Sequence, residues 1–173
     1  GNIGDAQDFP SILKGLKKCY RLQDLVFLVI GDGRYKTELI ESIQSEGLDK
    51  RVFFLGEYHA KYMPLFYYYS DYLLVPLRDT PVFAYTLPGK VQSYMSSGKP
   101  IIGMLNGEAA RVIAEVGCGY TVASGDYDSF ATLLAHCCSL DASERQQLGS
   151  MGQHYAYNNF RLESLIDKVA KYF

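Results

Sequence analysis

The 173-residue sequence lacks several features that would place it in a specialised class of protein. It contains no tryptophan, and its longest purely apolar stretch, residues 25–30, is far too short to cross a bilayer. Its 17 lysines and arginines are balanced by 19 acidic residues, so the net charge of -2 gives no electrostatic footprint for nucleic acid. The chain opens on a polar segment rather than a signal peptide. We therefore expect a cytoplasmic protein with no nucleic-acid partner and no transmembrane segment.

Metal and redox motifs are also missing from the sequence. The four cysteines are Cys19, Cys118, Cys137 and Cys138. They lack C-x-x-C spacing, which disfavours zinc and redox chemistry and favours reduced thiols. Asp126 and Asp128 match an Asp-x-Asp pattern that can bind manganese, but their place at a predicted helix start favours capping. We expect no metal and no cofactor.

What the sequence does contain is a regular alternation of strand and helix periodicity. The predicted strands cover residues 25–30, 52–55, 72–76, 101–104 and 120–122. Helical segments separate them, among them residues 61–69 and 108–116. Since strands joined through single helices need crossover connections, we predict a single α/β domain over residues 1–173. Its sheet is parallel and doubly wound, flanked by helices and Rossmann-like.

Several local details of this prediction concern helix faces and ends. In the first helix Tyr20 is expected to face inward with Phe9, and Pro88 is expected at the first position of a later helix. Asp141 and Glu144 have capping-box spacing. The last helix is expected to bury Leu162, Leu165, Ile166 and Val169.

The opening segment, residues 1–4, has the composition of a strand-to-helix loop with no strand before it. We interpret this as a domain boundary or as the cut edge of a fragment, with the first strand of the sheet missing. Ligands of doubly wound sheets bind at the carboxyl ends of the strands. The predicted binding region therefore consists of the loops at Gly31, at Gly56, at residues 77–87 and at Asn106 and Gly107.

No known phosphate fingerprint is complete in this region. Gly31 and Gly33 begin a dinucleotide motif, but Lys36 stands where the third glycine belongs. Two backbone elements remain: the glycine-rich opening loop, and residues 86–90, which offer a helix start and an ammonium group. Taken alone, the first is more simply read as a turn and the second as a capped helix with a solvated lysine.

The order of several short segments resembles a known family. They are residues 1–7 (GNIGDAQ), 29–33 (VIGDG), 51–56 (RVFFLG), 93–102 (SYMSSGKPII) and 106–126. From Gly1 to Phe173 the sequence resembles the C-terminal domain of the retaining glycosyltransferase family numbered four, which has the GT-B fold. The opening loop is similar to a bacterial branch that makes O-antigen and capsule polysaccharides.

This resemblance implies a domain that binds the donor, a UDP-type sugar nucleotide, without a metal ion. The sugar would be transferred with retention to a lipid-linked or saccharide acceptor held by the N-terminal domain of the same full-length protein. Association with the inner face of the cytoplasmic membrane through that missing half is left open.

The sequence departs from the family at two acidic positions. Most members have two glutamates separated by seven residues, and here Tyr85 and Ser93 stand in their places. The most similar branch instead has a Pro-x-Lys element, present as Pro88, Gly89 and Lys90. Lys90 thereby becomes the expected cation on the diphosphate.

The resemblance and the loop chemistry together imply a set of site residues, with no catalytic residue assigned. The diphosphate is expected at Gly1, Asn2, Gly4, Thr86, Leu87 and Lys90. The ribose and base are expected at Gly31, Gly33, Phe54, Glu57, Tyr58, Gln92 and Ser93. The donor sugar is expected at Tyr85 and Glu108. For Tyr58, stacking on the base and packing against its own helix are equally open.

Two other functions compete with this hypothesis. A sugar-nucleotide epimerase would need positioned carboxylates, and residues 80–87 contain none. A non-catalytic nucleotide-binding domain is compatible with the missing glutamates.

Overall fold

The computed structural model describes residues 1–161 and Ile166, and its helices and strands alternate along the chain. The strands are β1 (Phe27–Ile30), β2 (Val52–Gly56), β3 (Leu73–Pro76), β4 (Ile101–Met104) and β5 (Gly119–Val122). The helices are α1 (Phe9–Lys18), α2 (Lys36–Ser45), α3 (Met63–Tyr69), α4 (Pro81–Ala84), α5 (Gly89–Ser96), α6 (Glu108–Val116), α7 (Tyr127–Ser139) and α8 (Ala142–Asn159). Short 3-10 turns precede α1 at Asp5–Gln7 and α3 at Ala60–Tyr62.

All strand pairs are parallel, and hydrogen bonds divide the strands into two groups. In the first group β1 pairs with β2, with Phe27 opposite Val52. In the second group β4 lies between β3 and β5, with Ile101 opposite both Leu73 and Gly119. Parallel strands covered by helices confirm the predicted α/β class.

The opening segment does more than connect a strand to a helix. Asn2 forms an isolated parallel bridge with Asp32, just beyond β1. The Ile3 N–H donates to the Asp32 carbonyl at 2.8 Å, and the Tyr35 N–H donates to the Ile3 carbonyl at 3.1 Å. Ile3 itself is buried. The start of the chain is therefore fixed against the carboxyl end of β1.

Two buried clusters form the core. The first joins the two strand groups, because Val29 of β1 and Ile102 of β4 both belong to it, with Ile12 of α1 and Phe130 of α7. The second lies between the β3–β4 pair and helices α5, α6 and α8. Gly149 allows the close approach of α8, since the backbone of Gly98 fills the space that a side chain would need.

Some local predictions hold and others are wrong. Helix α6 has its predicted bounds, and Asp141 and Glu144 form the predicted capping box. Tyr20, predicted to face inward, is 66% exposed because α1 ends at Lys18. Pro88 is the N-cap of α5 rather than its first helical residue.

Of the four residues that were predicted to be buried in the last helix, only Ile166 is among the described residues. Ile166 is 56% exposed, so its predicted burial is wrong. Leu162, Leu165 and Val169 lie outside the described residues. Among the described residues, no helix is both long and apolar enough to cross a membrane.

Candidate functional site

The loops at the carboxyl ends of β3, β4 and β5 are joined into one surface by hydrogen bonds. The Leu77 N–H donates to the Met104 carbonyl at 3.0 Å, which extends the strand pairing beyond β3. The Asn106 side chain accepts from the Ser124 N–H at 3.2 Å, and the Ser124 hydroxyl donates to the Leu77 carbonyl at 2.8 Å. Asn106 and Ser124 therefore hold three loops in fixed relation, a role that sequence reasoning missed.

The opening loop and the start of α5 meet at this surface. The Lys90 ammonium nitrogen lies 3.1 Å from the point where a Cβ on Gly1 would be placed. The two elements predicted to hold the phosphate, the opening loop and the start of α5, are thus brought side by side. This contact is the main geometric feature of the candidate site.

The first turn of α5 presents free backbone donors beside Lys90. Val91 and Gln92 donate their N–H groups to the Pro88 carbonyl, at 2.9 and 3.4 Å. The N–H groups of Gly89 and Lys90 precede them, in the part of a helix where no intrahelical acceptor exists. A Cβ on Gly89 would meet no atom within 4 Å, so this turn borders open space. The arrangement suits an anion.

The electrostatic environment of Lys90 favours an anionic ligand. Burial lowers the pKa of the Lys90 ammonium group. A cation that is partly removed from water gains from a bound anion.

Part of the opening loop is already committed to internal hydrogen bonds. The Gly4 N–H donates to the Gln7 side chain at 3.0 Å, and the Ile3 N–H is bound to Asp32. The predicted contact between the Gly4 N–H and the diphosphate therefore requires the hydrogen bond to Gln7 to break first. Gly1 and Asn2, which precede this part of the loop, are exposed.

Gly31 and Gly33 occupy positions where the opening segment passes very close. Gly31 has φ +143°, and a Cβ there would lie 2.7 Å from the carbonyl carbon of Gly1 and still closer to its oxygen. A Cβ on Gly33 would similarly collide with the Ile3 backbone. The structure thus gives both glycines a packing role, in addition to the ribose and base contacts predicted for them.

The residues predicted for the base differ in their access to solvent. Phe54 is half-buried against the first core cluster, with the Lys36 ammonium 5.1 Å from its ring centre. Tyr58 is 45% exposed and packs edge-on against Phe66 at 4.8 Å. Glu57 is exposed at the end of β2. Tyr58 combines an exposed ring with a fixed edge, so it is the better placed of the two aromatic residues for stacking.

The polar side chains around α5 are bonded to their own helix or loop. The Ser93 hydroxyl donates to the Gly89 carbonyl at 3.0 Å, and the Gln92 amide donates to the Leu87 carbonyl at 3.3 Å. The Thr86 hydroxyl donates to the Val82 carbonyl at 3.0 Å. A hydroxyl that donates in this way keeps its acceptor lone pairs. Ser93 can therefore still accept one hydrogen bond from a ribose hydroxyl.

Tyr85 and Glu108, predicted for the donor sugar, are carried by segments that touch. The backbone of Ala84 lies 2.6 Å from the Cβ position of Gly107, so α4 contacts the start of α6. Tyr85 follows α4 and is 89% exposed. Glu108 binds Arg111 through both oxygens, at 2.8 and 2.5 Å, and these bonds lower its pKa.

Both carboxylates of the Asp-x-Asp pattern, Asp126 and Asp128, make contacts that stabilise the fold. Asp126 accepts from the Ser129 N–H at 2.9 Å and caps α7, as predicted. Asp128 forms an ion pair with Lys18. Within residues 1–161, no three His, Cys, Asp or Glu side chains are grouped so that they could hold a metal ion.

The link from Asp8 to the end of β3 is a further contact that sequence reasoning missed. Asp8 precedes α1 with φ +41°, a left-handed conformation that is uncommon outside glycine. Its side chain is 13% exposed and lies 3.7 Å from Arg78, just after β3. Asp8 thereby links the start of α1 to the carboxyl end of β3. An Asp immediately before a predicted helix was the available signal.

Two surface grooves among the described residues lie away from the strand-end loops. One groove of about 710 Å³ is lined by Ser96, Gln153, Tyr157 and their neighbours, between α5 and α8. Another, of about 470 Å³, lies along α7. We place the candidate site where Gly1, Lys90 and the strand ends converge, because ligands of doubly wound sheets bind at the carboxyl ends of the strands.

Comparison with known proteins identifies the family. A model described as "Glycosyl transferases group 1" matches residues 6–139. This chain belongs to the group 1 glycosyl transferases. A search of curated proteins found no match.

Several solved glycosyltransferase structures are similar to this group 1 domain. Anabaena Alr3699/HepE in complex with UDP is 20% identical with a TM-score of 0.78, and the match covers 99% of this chain and 46% of that chain. The C-terminal domain of the group 1 protein LpcC from Francisella tularensis is 20% identical with a TM-score of 0.76, over 94% of this chain and 84% of that one. WaaG, a glycosyltransferase involved in lipopolysaccharide biosynthesis, is 19% identical with a TM-score of 0.72, over 98% and 45%.

At these identities the similarity establishes the fold of the group 1 domain. The fold is the Rossmann-like half of a GT-B glycosyltransferase, as predicted. The chain spans about half the length of HepE and WaaG.

Proposed function

We propose that this group 1 domain binds the nucleotide sugar in a two-domain glycosyltransferase, with the donor diphosphate held by Lys90 and the first turn of α5. The observation that carries the proposal is the convergence of the Lys90 ammonium with Gly1 beside free N–H groups. A diphosphate placed there would accept from both the ammonium and the backbone.

This arrangement suits the chemistry of glycosyl transfer. The bond between the anomeric carbon and the β-phosphate oxygen breaks, a bond to an acceptor oxygen forms, and the acceptor hydroxyl gives its proton to a base that the other half of the protein would supply. Negative charge then grows on the leaving diphosphate, and preorganised donors stabilise it most where water is excluded. Lys90 and the α5 N–H groups supply these donors, so we propose a metal-independent reaction without a cofactor.

We propose a uridine diphosphate sugar as the donor. The resemblance of the opening loop and of residues 88–90 supports this, as does the fold shared with HepE, which was solved with UDP and with UDP-glucose. Tyr58 would stack on the base, and Ser93 and Gln92 would replace the family's second glutamate near the ribose. Tyr85 and Glu108 would face the sugar.

The reaction type, the pathway and the acceptor are proposed from the sequence resemblance. We propose a retaining family-four enzyme of polysaccharide biosynthesis, with an N-terminal domain that holds a lipid-linked or saccharide acceptor at the inner face of the cytoplasmic membrane. The match to about half of HepE and WaaG supports a second domain. WaaG acts in lipopolysaccharide biosynthesis, which is in keeping with the pathway.

A calorimetric titration of the purified chain with UDP, GDP and ADP tests the proposal. We expect UDP to bind most tightly, with a Kd on the order of 10 μM to 1 mM, or about 4–7 kcal/mol. Equal weak binding of all three nucleotides would contradict the uridine assignment, and no binding would contradict the donor site. Because Tyr85 and Ser93 replace two glutamates, UDP binding without transfer by the complete protein would identify a non-catalytic binding domain.

A further inference from the structure

The tyrosine-rich segment after β2 has two faces, and the inner one attaches it to the domain. A 3-10 turn leads directly into α3. On the inner face, the Phe66 ring packs edge-on against Tyr58, with the ring centres 4.8 Å apart. Tyr67 packs in the same way against Tyr94 of α5, at 5.3 Å. These ring contacts hold the helix against the rest of the domain.

The outer face of the same segment exposes large side chains to solvent. Tyr68 is 71% exposed and Tyr69 77%, while Tyr62 and Leu65 are about half exposed. Positions three and four apart on a helix are neighbours on its surface, so these four side chains form one continuous stripe. A single exposed side chain of this kind is ordinary, but four together indicate an interaction surface.

Two lysines lie beside this stripe. The Lys61 ammonium is 5.0 Å from the centre of the Tyr62 ring, and the Lys99 ammonium is 5.7 Å from the centre of the Tyr68 ring. Both distances are within the range of cation–π interactions, so each lysine is held next to an exposed ring. We refer to the stripe and its two lysines as the tyrosine face, which consists of Lys61, Tyr62, Leu65, Tyr68, Tyr69 and Lys99.

The tyrosine face carries positive charge that its own segment does not neutralise. Residues 58–70 contain no aspartate or glutamate. The acidic residues that flank this segment are Glu57 and Asp71, and the Asp71 carboxylate lies 3.6 Å from the Arg145 guanidinium group. A negatively charged partner therefore suits this surface.

One end of the tyrosine face lies at the edge of the sheet opposite the candidate donor site. The chain passes from Tyr69 into β3 at Leu73, and from Lys99 into β4 at Ile101. Tyr69 and Lys99 therefore adjoin the amino ends of two parallel, paired strands. Because the candidate donor site is at the carboxyl ends, a partner bound to the tyrosine face would leave that site open.

We propose that the tyrosine face docks this domain on the surface of a membrane that contains anionic lipids. Tyrosine rings are amphipathic and are enriched where a bilayer meets water. Lysines beside them can extend to lipid phosphates, and an anionic leaflet attracts basic residues close to its surface. The domain would lie on the membrane without crossing it, in addition to the contact proposed for the N-terminal domain. The proposal is independent of the nucleotide that the domain binds.

A second copy of the chain fits this surface less well. In a two-fold dimer both copies use the same patch, so the lysines of the two tyrosine faces would be brought into one interface. Like charges in one interface are costly, and residues 58–70 offer no carboxylate to offset them. The charge of the tyrosine face therefore favours a lipid surface over self-association.

Sedimentation with lipid vesicles tests the proposal on the purified chain. Vesicles of phosphatidylcholine with about one third phosphatidylglycerol should bind it at least about tenfold more tightly than vesicles of phosphatidylcholine alone. Tyr68→Ser/Tyr69→Ser should weaken binding to the anionic vesicles at least about tenfold. The matched control is Tyr20→Ser/Tyr157→Ser, because these tyrosines are comparably exposed, at 66% and 60%, and lie after α1 and on α8.

The same assay tests the two lysines. Lys61→Gln/Lys99→Gln should weaken binding to the anionic vesicles about fivefold or more. Lys14→Gln/Lys17→Gln removes equal charge from exposed positions of α1 and should change binding little. Binding of the wild-type chain should also weaken as the salt concentration rises.

A tryptophan placed in the tyrosine face locates the contact. The sequence contains no tryptophan, so Tyr69→Trp and Tyr157→Trp each carry a single indole reporter. On anionic vesicles the fluorescence of Tyr69→Trp should shift to shorter wavelength, because the indole leaves water, whereas that of Tyr157→Trp should not shift. If Tyr68→Ser/Tyr69→Ser does not fold, this comparison decides the proposal.

The proposal is overturned if the chain does not bind the anionic vesicles, or if the two serine variants bind them equally well. A shift in Tyr157→Trp alone would place the contact on α8 and would also overturn it. If ultracentrifugation shows a dimer that Tyr68→Ser/Tyr69→Ser dissociates, while the vesicles do not bind, the partner is a second copy of this chain and the membrane proposal is wrong.

Discussion

The backbone of Gly1 lies so close to Gly31 that a Cβ on Gly31 would be 2.7 Å from the Gly1 carbonyl carbon. Gly31 therefore fixes the opening loop against the end of β1, where it meets Lys90. We expect Gly31→Ala to reduce the free energy of unfolding by about 2–4 kcal/mol, from steric overlap added to an unfavourable φ. Urea unfolding measures this change.

Gly47→Ala is the matched control for Gly31→Ala. Gly47 also has positive φ, +67°, but a Cβ there would meet no atom within 4 Å. We expect it to cost about 1–2 kcal/mol, the conformational part only. If both variants lost the same free energy of unfolding, the contact between Gly31 and Gly1 would contribute nothing to stability.

The second prediction concerns Asp126 and metal ions. Since Asp126 caps α7 through Ser129, Asp126→Ala should lower the Tm but leave UDP affinity unchanged, with manganese or with a chelator. A large manganese dependence of UDP binding that disappears in Asp126→Ala would instead support a metal site.

The pH dependence of the same variant provides an internal check. Hydrogen bonds from Ser129 lower the pKa of the Asp126 carboxyl below its ordinary 3.8. The cap therefore stabilises the fold above that ordinary pKa, and this stability is lost as pH falls through the lowered pKa. The Tm difference between wild type and Asp126→Ala should accordingly shrink in acid.

The third prediction is the pH dependence of donor binding. Burial lowers the pKa of Lys90 from the ordinary 10.5, so its charge is lost at a lower pH than that of an exposed lysine. A cation that binds a diphosphate acts below its pKa, and affinity falls as pH rises through it. Calorimetry should show UDP affinity declining before pH 10.5. An affinity that stays constant to that pH would contradict a role for this ammonium.

Local signals in the sequence predicted much of the fold. Helix α6 was placed correctly because Gly107 and Gly117 bound it and its apolar residues follow a helical period. The Asp126 cap was predicted for similar reasons, from an acidic residue just before an apolar run. Such features depend on neighbours a few residues away, which a single sequence displays.

Sequence reasoning missed interactions between distant segments and misplaced one helix end. The pairing of Asn2 with Asp32 joins residues far apart in sequence, and no local periodicity marks it. Tyr20 continues the apolar period of α1 but lies beyond the helix end, so the period was followed too far. The proximity of Lys90 to Gly1 was anticipated from the loop chemistry, which placed both around one anion, and from the family resemblance. Its distance had to come from the structure.

The fourth prediction is that this chain binds UDP but does not transfer sugar by itself. The described donor surface is open, and glycosyl transfer needs an acceptor in a cleft that excludes water. Incubation with UDP-sugars and saccharide acceptors should give no product unless the upstream half of the same protein is added. Transfer by this chain at a rate that the added half does not raise would contradict the two-domain proposal.

The final prediction tests the central claim, that Lys90 holds the donor diphosphate. Lys90→Ala should weaken UDP binding by about 1–3 kcal/mol, the range for a charge-assisted hydrogen bond, with little change in the Tm. Lys17→Ala is the control, because Lys17 is an exposed lysine paired with Glu46 on another surface. The decisive measurement is calorimetry of UDP binding to wild type and both variants. The account predicts a loss of affinity for Lys90→Ala alone, and an unchanged affinity in that variant would contradict it.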